Sequence, residues 1–210
     1  MKIPLSGRTM EDKGNFRIAT PKDVYQITEV HKRAYQGFFL TFLGRRFLSN
    51  FYYTCLTDPS GIGFVYEEND SICGFVIGSS QPAGFYSRLL RKYWWRFALA
   101  SLIPILKNPL IIPRLLRAFQ KPQDEINKPE TATLMSIAVL PDAQGQGVGQ
   151  KLINAFLQEA STRGMKYVDL TTDSNNNERV NRFYLDNGFQ VTRSFVTPEG
   201  RKMNEYTIQL

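Results

Sequence analysis

The run Val139-Leu140-Pro141-Asp142-Ala143-Gln144-Gly145-Gln146-Gly147-Val148-Gly149 is where residue types and spacing could do chemistry. It places a glycine-rich turn between an apolar stretch, Ala132 to Val139, and a helical pattern through Val148, Leu152, Phe156 and Ala160. Such a turn makes an anion site. Glycines permit positive φ and close backbone approach, while unpaired N–H groups and the positive end of a helix dipole favour pyrophosphate. Two familiar nucleotide loops do not fit: a dinucleotide fingerprint needs a third glycine where Gln150 stands, and a P-loop needs Gly-Lys-Ser or Gly-Lys-Thr where the chain has Gln150-Lys151-Leu152. Further on, Asn177, Val180 or Asn181, and Tyr184 fall at i, i+3/i+4 and i+7, so they share one helix face. Tyr184 reads by itself as a half-buried core aromatic. Two cysteines and one histidine, none at ligand spacing, are too few for a structural zinc site, so no metal is expected. Cys55 and Cys73 read as core thiols, and His31, between Val30 and Lys32-Arg33, as a helix-surface residue.

The elements that must position these residues follow from period and punctuation. Phe16 to Ala19 reads as a strand; Thr20-Pro21-Lys22-Asp23 opens a helix that runs through Val24, Ile27, Val30 and Ala34 and closes at Gly37. A second, aromatic-rich helix is expected from Leu40 to Leu56. Gly63 to Glu67 and Ser71 to Gly78 form a hairpin around Asn69-Asp70. Ala132 to Val139 is a strand, Gly147 to Arg163 a helix capped by Gly164, Lys166 to Thr171 a strand, and Asn177 to Asn187 a short helix ending at Gly188. A last hairpin joins Phe189–Val196 to Lys202–Ile208. The order predicts an α/β or α+β sheet, mostly antiparallel with one parallel pair in the middle.

The chain's net charge of +7 is unevenly placed. Pro82 to Lys121 holds eight basic residues and no acidic one, leaving eighteen basic against nineteen acidic residues elsewhere. The protein is therefore not a general polyanion binder, and no nucleic-acid motif is present, so no nucleic-acid partner is expected. The first residues, MKIPLSGRTMEDKG, lack the apolar run of a signal peptide, which makes a reducing, cytoplasmic location the expectation. The longest apolar-or-small run, Phe97 to Leu106, is too short to span a bilayer.

The glycine loop resembles the acyl-CoA loop of the GNAT superfamily of N-acetyltransferases, whose signature Gln/Arg-x-x-Gly-x-Gly/Ala follows a strand ending Val-x-Pro. Gln144, Gly147 and Gly149 occupy the signature positions, and Val139 and Pro141 the strand end. Asn177-x-x-Val180-x-x-Phe183-Tyr184-x-x-x-Gly188-Phe189 is similar to that family's Asn-x-x-Ala-x-x-x-Tyr-x-x-x-Gly-Phe helix, with Val180 in place of the usual alanine. The resemblance implies a mixed, mostly antiparallel sheet of about seven strands flanked by helices, whose fourth and fifth strands splay around the pantetheine arm. Acetyl-CoA is the implied co-substrate, and a small-molecule primary amine the acceptor that attacks its thioester directly. By the same resemblance, the main chain of Ile137, Ala138 and Val139 contacts pantetheine, with Ala138 or Val139 donating to the thioester oxygen. Gln144, Gly145, Gln146, Gly147, Val148 and Gly149 hold the pyrophosphate; Asn177 lines the arm; Tyr184 protonates the departing thiolate. The base stays open among Glu67, Glu68, Glu130 and a water relay. A non-catalytic acyl-CoA-binding or membrane-associated module is the alternative.

One feature departs from that family. A basic insertion, residues 82–128, separates the third and fourth strands of what is otherwise a single domain over 1–210. It carries Trp94 and Trp95, with Tyr86, Leu89, Leu90, Tyr93 and Phe97 at helical spacing among Arg88, Arg91, Lys92 and Arg96; Pro104, Pro109 and Pro113 are expected to break it into two or three helices. Three uses are open: a wall of the acceptor pocket that also serves as a homodimer contact, a peripheral contact with the inner membrane face through 82–121, or an acidic partner. The run Ala34 to Gly44, leading to Phe47-Leu48, resembles a bacterial surface-polysaccharide subgroup, which implies an amino sugar as acceptor.

Overall fold

Thr20 closes the first strand and opens the first helix by an interlocked set of polar contacts. Its N–H donates to Asp23 Oδ2 at 2.7 Å and its hydroxyl to the same oxygen at 2.9 Å. Arg17 clamps Asp23 through two bonds of 2.8 Å and reaches Glu67 at 2.7 Å, so the helix start is tied to the first two strands. The computed structural model describes residues 14–37, 39–107, 109 and 128–210. The part of the expected insertion at 110–127 lies outside the described residues.

Seven strands form one sheet: β1 (Asn15–Ile18), β2 (Gly61–Glu68), β3 (Ser71–Ser79), β4 (Thr131–Val139), β5 (Tyr167–Asp173), β6 (Gln190–Val196) and β7 (Lys202–Gln209). Their order is β1-β2-β3-β4-β5-β7-β6, and every pairing is antiparallel except β4 with β5. The expected mixed sheet is therefore present. Alternation sends Val65, Phe75 and Ile77 to one face and Ile62, Tyr66 and Val76 to the other, and each face has its own apolar core.

On the first face lie α1 (Val24–Ala34), α2 (Phe39–Phe42), α3 (Gly44–Thr57) and α4 (Phe85–Lys107); on the second lie α5 (Val148–Thr162) and α6 (Glu178–Asp186). The single helix expected over Leu40 to Leu56 is two, because Gly44 takes φ +84° and turns the chain between them. In the insertion, α4 runs through Pro104 without breaking. The proline removes one N–H from the ladder, yet the helix is described on through Ile105, Leu106 and Lys107. Ring contact of Phe97 with Phe47 and an Asn50 amide bond to the Arg96 carbonyl at 3.2 Å dock α4 on α3.

Candidate active site

The parallel pairing of β4 with β5 is short. It covers Thr131↔Tyr167, Ala132↔Val168 and Thr133↔Asp169, then stops, while both strands continue. Polar contacts pin this closed end: Lys128 Nζ donates to Asp169 at 2.8 Å and also to Glu205, and the Thr133 hydroxyl donates to Asp169 at 2.6 Å. Past Thr133 a gap opens between Leu134–Val139 on one side and Leu170–Asp173 on the other. A register shift at Ile77/Gly78, where Met135 is the extra residue on β4, bends the strand at the start of this stretch.

Main-chain direction along the gap follows from pairing. Leu140 N–H donates to Cys73 O at 2.7 Å, so Cys73 and Leu140 form a hydrogen-bonded pair, and antiparallel alternation then turns Ala138 toward Phe75 on β3. Ile137 and Val139 point their N–H and C=O groups the other way, into the gap. Two contacts agree with that direction: the Tyr35 hydroxyl donates to Ile137 O, and Gln144 Nε2 donates to Val139 O at 3.0 Å. Of the two donors the resemblance suggested, Val139 faces the gap and Ala138 faces β3.

At the mouth of the gap the chain makes a short 3₁₀ turn at Pro141–Ala143 and enters α5 through the glycine loop. Gly145 and Gly147 take φ +78° and +79°, and nothing lies within 4 Å of where a Cβ on either would stand. The glycines are needed for backbone angle, not for room. No side chain caps the start of α5; its first helical bond is Lys151 N–H to Gly147 O at 3.0 Å. The N–H groups from exposed Gly145, Gln146 and Gly147 into the first turn at Val148 and Gly149 are thus left for an anion, at the positive end of a 15-residue helix. Val148 is buried and anchors this turn, whereas Gln144 and Gln146 fold their amides onto the loop, Gln146 Nε2 donating to Asp142 O at 3.0 Å. The loop fits a pyrophosphate through its main chain rather than through charge. Gly149 serves packing instead, since a Cβ there would stand 3.2 Å from the Phe183 ring, and α6 lies directly on the loop.

Tyr184, the residue after Phe183, is 6% exposed among Phe189 and Tyr206. Burial first, then the nearby Tyr35 and Tyr206 phenols, push its pKa well above the ordinary tyrosine value. Its hydroxyl makes no hydrogen bond among the described residues. Asn177 donates to Thr172 Oγ1 and Asp173 O, each at 3.0 Å, which ties the start of α6 to the end of β5 and leaves its Oδ1 as an acceptor. Asn181, not Val180, completes the inward face. It donates to Ser174 O at 3.2 Å and accepts from Tyr206 at 2.9 Å, while Val180 is exposed.

Other sequence readings come out differently. Glu130 pairs with Lys166 at 2.8 Å at the closed end of the gap, away from the open end, whereas Glu67 stands at the open end of the sheet but is tied to Arg17 on β1. His31 is buried, 4% exposed, not on the helix surface: α3 covers it, and its Nδ1 lies 2.5 Å from the Tyr52 hydroxyl. Cys55 is a core thiol whose pKa burial raises; burial also raises that of Cys73, which is half-buried. Tyr35, Tyr52 and Ser136 were missed as a group; the i, i+4 spacing of His31 and Tyr35 was the available signal.

Comparison with known proteins gives the same picture. The sequence model of the acetyltransferase (GNAT) family matches residues 24–189. A Glycine max protein named "Probable acetyltransferase TAP2" is 28% identical over 152 residues, 65% of this chain and 58% of that protein, so the chain spans little more than half of that relative's length. Among solved structures, yncA from Salmonella typhimurium, determined with acetyl-CoA, superposes with a TM-score of 0.61 at 18% identity over 94% of each chain. The ribosomal-protein-S18-alanine N-acetyltransferase of Escherichia coli gives 0.58 at 15% identity over 93% of each, and an N-acetyltransferase of Staphylococcus aureus Mu50 gives 0.61 at 16% over 93% of this chain and 98% of that one. These likenesses share the fold, and the family match covers the strand, loop and helix just described: the chain belongs to the acetyltransferase (GNAT) family.

Proposed function

We propose that the protein transfers an acetyl group from acetyl-CoA to a primary amine, an amino sugar being the favoured acceptor. The observation that supports this reading best is the gap itself. Its inner edge offers main-chain groups of Ile137 and Val139, its mouth offers an uncapped helix start, and a buried phenol closes its far side. Pyrophosphate rests on the N–H groups of Gly145 to Gly149, and pantetheine runs along Ile137 and Val139 and past Asn177. The amine nitrogen attacks the thioester carbon while a gap-facing N–H, that of Val139, donates to the carbonyl oxygen. The C–S bond then breaks and Tyr184 gives its proton to the departing sulfur. The acetylated nitrogen loses its extra proton, which restores Tyr184, and the first ammonium proton leaves to solvent. The elevated pKa of Tyr184 keeps the phenol protonated at working pH, ready to donate. Tyr184→Phe is expected to lower kcat by about 10²-fold in a thiol-release assay over an amine panel, with acetyl-CoA affinity unchanged. An unchanged kcat would remove Tyr184 as the acid.

The outer face of α4 supports a peripheral membrane contact. Its first turns expose Arg91 and Lys92, and the turns after them expose Trp94, Trp95, Leu99, Leu102 and Leu106, the last at 82%. The described part of the helix carries no acidic residue, and no helix among the described residues is long and apolar enough to cross a membrane. Basic residues beside exposed tryptophan and leucine complement an anionic bilayer surface, at about 1 kcal/mol per basic side chain. The inner face of α4 meanwhile walls α3 on the acceptor side. Sedimentation with phosphatidylcholine vesicles containing phosphatidylglycerol should pellet the protein at low salt and release it at high salt. Equal pelleting without the anionic lipid, or a dimer that forms through this face in its absence, would contradict the assignment.

A further inference from the structure

Behind the gap, on the side opposite α5, lies a set of buried polar side chains. Ile137 O can only accept, so Tyr35 donates its one hydroxyl proton to it. Next to Ile137 on β4, the Ser136 hydroxyl lies 3.1 Å from that of Tyr52, and Tyr52 is 2.5 Å from His31 Nδ1. The His31 ring in turn lies against the Tyr35 ring, 4.6 Å between centroids, so His31 touches both phenols. His31 Nε2 is buried without a hydrogen-bond partner among the described residues.

Such an arrangement costs stability, because a buried polar atom is left unsatisfied. Its outer end is a hydroxyl on the reaction edge of β4. Tyr35 reaches the gap from the α1 side and Tyr184 lies on the α6 side. We propose that Tyr35 is the acceptor-side hydroxyl of the site, the group whose oxygen meets an N–H of the incoming amine, and that Ser136, Tyr52 and His31 are positioning residues that fix it. The inference rests on the N-acetyltransferase reading. Glu67 is held by Arg17 and Glu130 by Lys166, whereas the Tyr35 hydroxyl stands at the gap-facing carbonyl of Ile137, where it can orient the amine.

His31 is the only histidine, so its ring nitrogens can be read by 15N NMR in untagged protein without assignment. Tyr52→Phe should shift the Nδ1 resonance, and an unchanged spectrum overturns the His31–Tyr52 contact. In kinetics, Tyr35→Phe should lower kcat/KM for the amine at least tenfold while leaving acetyl-CoA affinity unchanged. His31→Leu and Tyr52→Phe should move kcat/KM the same way, and His31→Asn, which puts an amide near the Nδ1 position, should recover most of it. Unchanged kcat/KM in Tyr35→Phe, or an equal loss of acetyl-CoA affinity, overturns the assignment alone. Wild-type protein that acetylates no amine overturns the parent reading and this one with it.

Discussion

At the residue scale, the glycine loop and His31 show opposite relations between sequence and site. Gly145 and Gly147 were legible because the constraint is local: a positive φ beside a helix start is written in residue type. His31 was not, because what buries it is Tyr52, twenty-one positions away on another helix, and a polar residue between Val30 and Lys32 gives no sign of that. Its burial has a measurable consequence. Desolvation lowers the imidazole pKa to about 4, from about 6.5 in an unfolded chain, and the groups facing it are the Tyr35 and Tyr52 phenols. The fold therefore favours neutral imidazole; this contribution is fully present above about pH 6.5 and is lost as pH falls toward about 4. The loss should approach about 3 kcal/mol over that window. Denaturant midpoints measured against pH should show it, and His31→Asn should flatten the slope between those values; an unchanged slope would mean the imidazole is not the group titrating.

At the element scale, the site depends on where two strands part and how one helix begins. The order of elements followed from period and punctuation, but the end of β4–β5 pairing at Thr133 is set by cross-strand contacts of Asp169 and Lys128 that no local pattern encodes. Only the likeness to a known family pointed to the splay. The break at Gly44 and the unbroken passage through Pro104 were misread for a related reason, since a glycine tolerated in a helix and one that turns the chain look alike in sequence. The start of α5 carries a direct test. Gly147→Val forces a β-branched residue into a left-handed backbone angle, so it should cost about 1–2 kcal/mol of stability and at least tenfold in acetyl-CoA affinity. Calorimetric titration would check it, and undiminished affinity would move the pyrophosphate away from this loop.

At the scale of the whole molecule, the charge of +7 is not spread over the active domain. On the proposed reading the CoA side works through glycines, main-chain N–H groups and a helix dipole, with little formal charge, whereas the described insertion helix stacks on α3 with arginine, lysine and tryptophan outward. The two ends of the proposed reaction would then be built differently, the cofactor side from one local loop and the acceptor side from α1, α3 and α4. This division explains why the sequence pointed to acetyl-CoA through particular residues and to the acceptor only through a resemblance. It also identifies the decisive measurement. Incubated with acetyl-CoA and a panel of primary amines that includes amino sugars, the protein should yield an acetylated amine and free CoA in equal amounts, detected by mass spectrometry and thiol titration. Free CoA without any acetylated amine, or neither product from any member of the panel, would contradict the transferase assignment.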